Sequence, residues 1–450
     1  MGSSVPWGQG AEPPNVNGYA WLWTDYLQKN AVNKWISTNI SIGGNTTTDV
    51  SNRWDNDLLP LGSRYVYYGL SLGNEGIHEK GQAAFNSWRD NMLALIERTR
   101  NHDKIPIVGN NYPRADFNST DYNYVKQLNL LIHEWDVPSV NLLGSIDNEA
   151  GQWASGYMAD NAHPNTAGHA EMFYSIVPSL LDALAAEKPQ PVRTGNTFLT
   201  LEKNNTVKRI AFTPEGTLHS FTLSFSFKTT GTATLASLVT AAGDTARLVL
   251  DANGKLAYKT LISTTAGNDG AWHTAVLTHY YASGHTLLYI DKERIARPTI
   301  REKLLPVKFF LNDFDAAPQT VDYRELFFYR AGMCTEEIAA LQDGKMLKSS
   351  LEIYAPLDGG ASAGQGALNN LAQSLNAPSL EWKNATGLRE TDFNKNGKVK
   401  EIAIYSLAGR LLFHTTNPHF DYNTKLPTGV YIAKVLTTQG VESSKQIVVE

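Results

Sequence analysis

The chain carries a single cysteine, Cys334, in 450 residues, which excludes an internal disulfide framework and any cysteine-rich metal site. It also lacks an apolar run long enough to span a bilayer, and it lacks any basic block. With 39 Lys and Arg against 44 Asp and Glu, the net charge of −5 offers no electrostatic footprint for DNA or RNA. No signal peptide is legible either. The ordinary features are 42% hydrophobic and 18% charged residues, the balance of a folded soluble protein. Aromatics are plentiful, with 20 Tyr and 10 Trp, as in many sugar-handling proteins and also in many β-sandwiches. At this length two to four domains are expected.

Residues 1–188 alternate strand-like and helix-like segments, the pattern of an α/β domain with a parallel sheet. Asn17 to Asn30 reads as helix, and Lys34 to Ile42 as a strand entering Gly43-Gly44. Arg64 to Leu72 is a buried strand that ends at Gly73-Asn74-Glu75-Gly76. Phe85, Trp88, Met92, Leu95 and Ile96 give Gln82 to Arg100 a helical period. Ile105 to Gly109 is a short strand, Tyr122 to Trp135 a helix and Val140 to Leu143 a last strand. Thr166 to Ala186 is the closing helix. Pro189 and Pro191 mark a linker over 189–195. Residues 196–357 change rhythm to short strands separated by Gly/Asn turns, clearest at Phe221 to Phe227, as in a β-sandwich. Residues 358–379, rich in Gly, Ala, Ser and Asn, read as a second linker, and 380–450 as a further small set of strands.

In an open parallel sheet, ligands sit outside the carboxyl ends of the strands. Four small or polar clusters fall at such ends or in the loop before the last helix: Gly2-Ser3-Ser4, Gly43-Gly44-Asn45-Thr46, Gly73-Asn74-Glu75 and Asp160-Asn161-Ala162-His163. Each alone has a plain reading. Gly/Ser-rich N-termini are commonly frayed ends, Gly43-Gly44 and Asn74 suit turns, and Asp160 with His163 suits an Asx turn at a helix start. Together and in order they supply what acyl transfer from an ester requires: a nucleophile, a base, a group to orient the base, and donors for an oxyanion. Asn110, Tyr112 and Trp153 are candidates to line a pocket, with a core or loop role equally open.

These four blocks resemble those of the SGNH (GDSL-like) hydrolases, over about residues 1–187. The resemblance implies a flavodoxin-like three-layer α/β fold and a serine esterase. It makes Ser4 the nucleophile, His163 the general base and Asp160 its partner. The oxyanion donors would be the backbone N–H groups of Ser4 and Gly44 and the side-chain amide of Asn74. Two departures stand out: Ser3 occupies the place of the usual Asp before the nucleophile, and the third block is one residue short of Gly-x-Asn-Asp. No metal or organic cofactor is implied for the esterase. If Ser4 ends a core strand, further strand residues and a signal peptide are expected before Met1.

Residues 196–357 resemble the laminin G/concanavalin A-like jelly rolls, carried by Phe221 to Phe227, Asp269 to Val276 and Leu287 to Asp291. That resemblance brings glycan binding and calcium as open expectations, with Trp272 expected in the core rather than on a sugar. Residues 380–450 resemble the C-terminal sorting domain of type IX secretion, through Ile404 to Arg410 and Leu426 to Ile432. Export through that machinery and a secreted or cell-surface location are implied. Asp392, Asn394 and Asn396 open like an EF-hand loop, but Ala403 stands where a bidentate Glu belongs, so a polar hairpin is the better reading.

The expectation is therefore a multidomain chain: an SGNH esterase domain over 1–188, a β-sandwich over 196–357 and a small β-sandwich over 380–450. Its expected substrate is an O-acetyl group on a polysaccharide or oligosaccharide, with a lipid or aryl ester as one alternative. The alternative from another class is a non-catalytic glycan-binding surface adhesin.

Overall fold

Alternation along two short strands builds the N-terminal region in three layers. In the computed structural model β1 (Tyr65–Gly69) pairs in parallel with β2 (Ile105–Gly109), which pairs in parallel with β3 (Ser139–Val140). Successive strand side chains point to opposite faces. Val66, Tyr68 and Val108 therefore pack on one face with Trp54, Trp88, Met92 and Leu95 from α2 (Thr47–Asp57) and α3 (Gln82–Asn101). Tyr65, Tyr67 and Ile107 pack on the other with Trp23 and Leu27 of α1 (Tyr19–Asn30) and with Met172 and Leu181. The remaining long helix, α4 (Ser119–Glu134), starts at a capping box in which Asn118 accepts from Asp121 N–H and Asp121 accepts from Asn118 N–H.

Residues 1–3 run along the free edge of β1. Met1 donates its amine to Tyr67 O, Gly69 N–H bonds Met1 O, and Ser3 N–H bonds Gly69 O. Ser4 thus stands at the carboxyl end of this edge.

The structure describes residues 1–195, 197–202, 208–295, 302–313, 320–358, 368–382, 399–416, 426–427, 429–438 and 442–449. Three sequence expectations change in the N-terminal region. The last strand, expected over Val140 to Leu143, is Ser139–Val140, and Leu143–Ile146 is a helical turn. Lys34 to Ile42 is extended but joins no sheet: Ile42 N–H bonds Gly2 O, Arg53 donates to Ile40 O and Asn39 accepts from Ser41 N–H, while Asp182 holds the residues just before it by accepting from Val32 and Asn33 N–H. The closing helix is two helices, α5 (Thr166–Tyr174) and α6 (Leu180–Ala185), interrupted beside Pro178, which has no N–H to continue the ladder.

Beyond residue 195 the described strands form antiparallel sheets. One runs in the order Glu293–Arg294, His285–Ile290, His273–Tyr280, Phe221–Lys228, Val321–Tyr329, Leu351–Ala355, with Leu199–Leu201 also on Val321–Tyr329. The other runs Leu261–Ala266, Lys255–Tyr258, Thr245–Leu250, Ala233–Thr240, Pro306–Leu311, Lys208–Phe212, Ser379–Trp382. Phe221, Phe225, Phe309, Phe328, Leu238 and Leu248 share one buried cluster drawn from both sheets. Trp272 is half-buried, edge-on to Phe198 at 5.6 Å and beneath the Arg324 guanidinium at 4.3 Å.

Met1–Leu201 and Ile210–Leu380 make one compact unit, and Glu202–Arg209 with Glu381–Glu450 make another. Within the first, the stretches that composition marks as linkers are packed. Arg193 forms a two-pronged ion pair with Glu325, and Ala372 and Ser374 are fully buried. In the second, Val399–Ser406 is flanked by Leu411–Thr415 and Gly429–Thr437, and the latter by Glu442–Val449, all antiparallel. Ile402, Ile404, Tyr431, Ala433 and Val435 form its core. Asp392, Asn394 and Asn396 lie outside the described residues.

Candidate active site

Ser4 opens a single turn, Ser4–Trp7, closed by Gly8 in the left-handed region at φ 108°. A side chain at Gly8 would stand 2.3 Å from Pro14 O, so the turn needs glycine for space as well as for dihedral. Because Ser4 begins the turn, its own N–H has no partner within it.

The imidazole arrives on a hairpin. Met158 bridges Pro164, Ala159 N–H bonds His163 O at 2.9 Å, and Asn165 N–H bonds Tyr157 O at 3.0 Å. Asp160 turns the tip by accepting from Ala162 N–H (2.8 Å) and His163 N–H (3.0 Å). Its two oxygens both stand 2.9 Å from His163 Nδ1, and His163 Nε2 is 2.9 Å from Ser4 Oγ. The carboxylate fixes the tautomer: Nδ1–H donates to Asp160, which leaves Nε2 to accept from the serine hydroxyl.

Segments 9–12 and 163–169 lock the two halves together. Gly10 (φ 97°) passes under the hairpin so closely that a methyl there would be 2.1 Å from Pro164 O and 3.1 Å from His163 Cβ. His169 donates from Nε2 to Gln9 O and accepts from Tyr19 N–H at Nδ1. Burial pushes its imidazolium down to about 4, so the ring is neutral near pH 7.

The glycine loop reaches the same place. A methyl built on Gly43 would be 3.9 Å from Ser4 Cβ, whereas one on Gly44 (φ 77°) meets nothing within 4 Å. Asn74 donates its side-chain amide to Asn45 O at 3.0 Å, tying the third block to the second. An amide nitrogen carries two hydrogens, so one donor remains.

Around these sit Arg53, which motif spacing did not single out, and Glu75 of the third cluster. Arg53 donates to Asn45 Oδ1, Ile40 O and Gly2 O, and so joins the first two blocks. Glu75 is buried and accepts from Thr47 N–H and Oγ1–H at 2.6 and 2.7 Å. The Thr46-to-Asp49 capping box was a readable signal for that helix start; the Arg53 contacts had none.

The pocket candidates prove to be braces. Asn110 is buried and accepts from Leu142 and Leu143 N–H. Tyr112 stacks on Trp153 at 5.9 Å, and Trp153 donates to Asn161 O beside the hairpin tip. Burial pushes the Tyr112 phenol up to about 12, opposed by hydroxyl contacts with Ser3 and Ser71. A cavity of about 300 Å³ lies beside β1, lined by Met1, Trp23, Trp35 and Tyr65 among others, and none of Ser4, Asp160 and His163 lines it.

Burial would raise the Asp160 carboxyl, but hydrogen bonds from His163 and Ala162 outweigh it and hold the group below the usual carboxylate range. More than half of this side chain is solvent-exposed. Among the described residues, no group of three His, Cys, Asp or Glu side chains is placed to hold a metal ion. None of their helices is long and apolar enough to cross a membrane.

No curated protein matches the chain. Solved structures similar to it include a Desulfitobacterium hafniense protein described as lipolytic and of the G-D-S-L family (16% identity, 38% of this chain, 93% of that one, TM-score 0.32). A catalytic mutant of an acetylxylan esterase from Geobacillus stearothermophilus is similar at 17% identity, over 38% of this chain and 88% of its own, with a TM-score of 0.31. Trypanosoma rangeli sialidase is similar at 20% identity, over 27% of this chain and 22% of its own, with a TM-score of 0.24. Residues 1–171 match the GDSL-like Lipase/Acylhydrolase family. With Ser4 and His163 in contact where that match lies, the N-terminal region is a GDSL-like lipase/acylhydrolase domain.

Proposed function

We propose that the protein hydrolyses carboxylic esters through an acyl-enzyme on Ser4. The observation that carries the proposal is the continuous array from Asp160 through His163 to Ser4, each link 2.9 Å, assembled from residues 159 positions apart. His163 Nε2 takes the hydroxyl proton as Ser4 Oγ attacks the carbonyl carbon, then returns it to the departing alcohol. Asp160 stabilises the imidazolium formed in between. The oxyanion is received by the N–H groups of Ser4 and Gly44 and the free amide hydrogen of Asn74, each donor worth about 3–4 kcal/mol of barrier. Water, deprotonated by the same imidazole, then releases the acid. No step uses a metal or organic cofactor.

The substrate proposed is an O-acetyl group on a polysaccharide or oligosaccharide. What supports it is the β-sandwich in the same compact unit as the esterase domain, an arrangement suited to an enzyme working on a large solid substrate. Jelly-roll character, calcium binding and glycan binding by that sandwich belong to the proposal. So does an export role for residues 380–450, whose described strands carry Ile404 to Ser406 and Gly429 to Ile432.

The test is turnover of a short-chain aryl ester and release of acetate from acetylated xylan by the parent and by Ser4→Ala. The variant should lose about 10⁴-fold or more in kcat with its melting temperature unchanged. Equal turnover in both would refute the Ser4 mechanism. Sugar binding with no turnover in either would favour the adhesin, and activity confined to lipid or aryl esters would move the substrate class.

A further inference from the structure

The hairpin that presents Asp160 and His163 is short, and few backbone bonds hold it. A two-stranded hairpin of this size is marginal by itself, yet His163 Nε2 must stay within hydrogen-bond reach of Ser4. A displacement of about 1 Å at such a site costs roughly 100-fold in rate. Besides Gly10 and the Trp153 bond to Asn161 O, contacts from the β-sandwich reach the hairpin.

Tyr157 closes the base of the hairpin, where its carbonyl pairs with Asn165 N–H. Its hydroxyl accepts from Lys303 Nζ at 2.8 Å. The same ammonium lies 5.3 Å from the centre of the Tyr157 ring and 4.9 Å from that of Tyr281. Lys303 is itself presented by pinned backbone, since Glu302 N–H bonds Gly284 O and Leu304 N–H bonds His279 Nε2. Tyr281 leans on His219 at 4.0 Å, and His219 Nδ1 pairs with Glu171 on α5, the helix that leaves the hairpin. At the entry to the loop, Glu149 pairs with His285 Nδ1 at 2.6 Å and lies 3.5 Å from Arg294. Sandwich side chains thus grip the segment before, within and after the Asp160–His163 turn.

We infer that Lys303 is a positioning residue for the Asp160–His163 pair, acting through Tyr157, and that the β-sandwich is a working part of the active site rather than a separable binding module. The kinetic half of this inference rests on the esterase reading above. The structural half does not.

The experiment compares full-chain parent, Lys303→Met, Lys303→Arg and Tyr157→Phe by hydrogen exchange across residues 157–165 and by aryl-ester kinetics normalised to fluorophosphonate-reactive Ser4. In Lys303→Met, exchange at Ala159 and Asn165 should quicken by about 10-fold or more while α3 keeps its protection. Its kcat should fall by about 10- to 100-fold with KM changed less than about 3-fold. Tyr157→Phe, which removes only the acceptor hydroxyl, should do the same, and Lys303→Arg, still able to donate, should restore most of both. Parent-like exchange and kcat in Lys303→Met and Tyr157→Phe would overturn the inference. If the parent shows no Ser4-dependent turnover, the esterase reading fails and hydrogen exchange alone decides the clamp. If Lys303→Met loses protection in α3 as well, the milder Tyr157→Phe decides it.

Discussion

Replacing Asp160 by Asn asks how much a largely exposed carboxylate can do for its histidine. The amide oxygen can still accept from the two backbone N–H groups of the turn, so the hairpin survives, but the amide NH2 then takes the place of the other carboxylate oxygen, 2.9 Å from Nδ1, and competes with Nδ1–H. What disappears is the charge that steadies the imidazolium while the proton resides on His163. At about 4 Å between charge centres, that attraction is about 1 kcal/mol in water and about 4 kcal/mol at an effective dielectric near 20. More than half of the Asp160 side chain faces solvent, which places the pair toward the weak end, at about 1–3 kcal/mol. The lost charge alone should therefore lower kcat for an aryl ester by roughly 5- to 150-fold in Asp160→Asn, and any further loss reports the tautomer that the amide NH2 favours. Raised ionic strength should shrink the difference between the two proteins. No loss would refute the reasoning.

Three other outcomes follow from the packing. Gly10→Ala puts a methyl 2.1 Å from Pro164 O at a φ of 97°, so the hairpin must move: melting temperature should drop and kcat should fall at least about 10-fold. An unimpaired enzyme would show that the Gly10 approach does not hold His163. His169 has its folded value lowered to about 4 from 6.5, so its contribution is whole above pH 6.5 and is lost as pH falls through 4, at most about 3 kcal/mol. Asp147, raised by burial to about 7, contributes in the opposite sense, losing its share as pH rises through 7. The readout is accordingly the slope of unfolding free energy against pH between 4 and 7, which should be less positive in His169→Gln than in the parent, because the opposing Asp147 share is then uncompensated; equal slopes would exclude the assignment. Glu352→Gln strands Arg330, whose guanidinium is fully buried and bonds Glu352 at 2.6 Å besides Tyr174 O and Glu215 O. Urea unfolding should report a loss of about 3–5 kcal/mol, and a change under about 1 kcal/mol would contradict the burial argument.

Legibility followed range along the chain. Gln82–Asn101 and the strands at Tyr65 and Ile105 were readable because apolar spacing over a few residues records which face is buried. The stretch before Gly43 misled because scattered contacts rather than a strand ladder hold its backbone, among them Arg53 on Ile40 O and Ile42 N–H on Gly2 O. The break beside Pro178 was in the sequence as a missing N–H, though the run of apolar residues on either side reads as one helix. Asn110 and Trp153 looked like pocket residues because a polar or aromatic residue after a strand reads alike whether it faces a ligand or braces a loop.

The sequence by itself determined the long helices at Tyr19, Gln82 and Ser119, the strands at Tyr65 and Ile105, and the four polar clusters, since all of these depend on local spacing and turn chemistry. Only the tertiary structure decided that Ser4 and His163 meet at 2.9 Å, that Gly10 packs against the hairpin at Pro164 and His163, and that Lys303 meets the hairpin from another part of the chain. Contacts between residues 140 or more positions apart arise from how whole faces pack, and packing leaves no periodic trace in either partner alone.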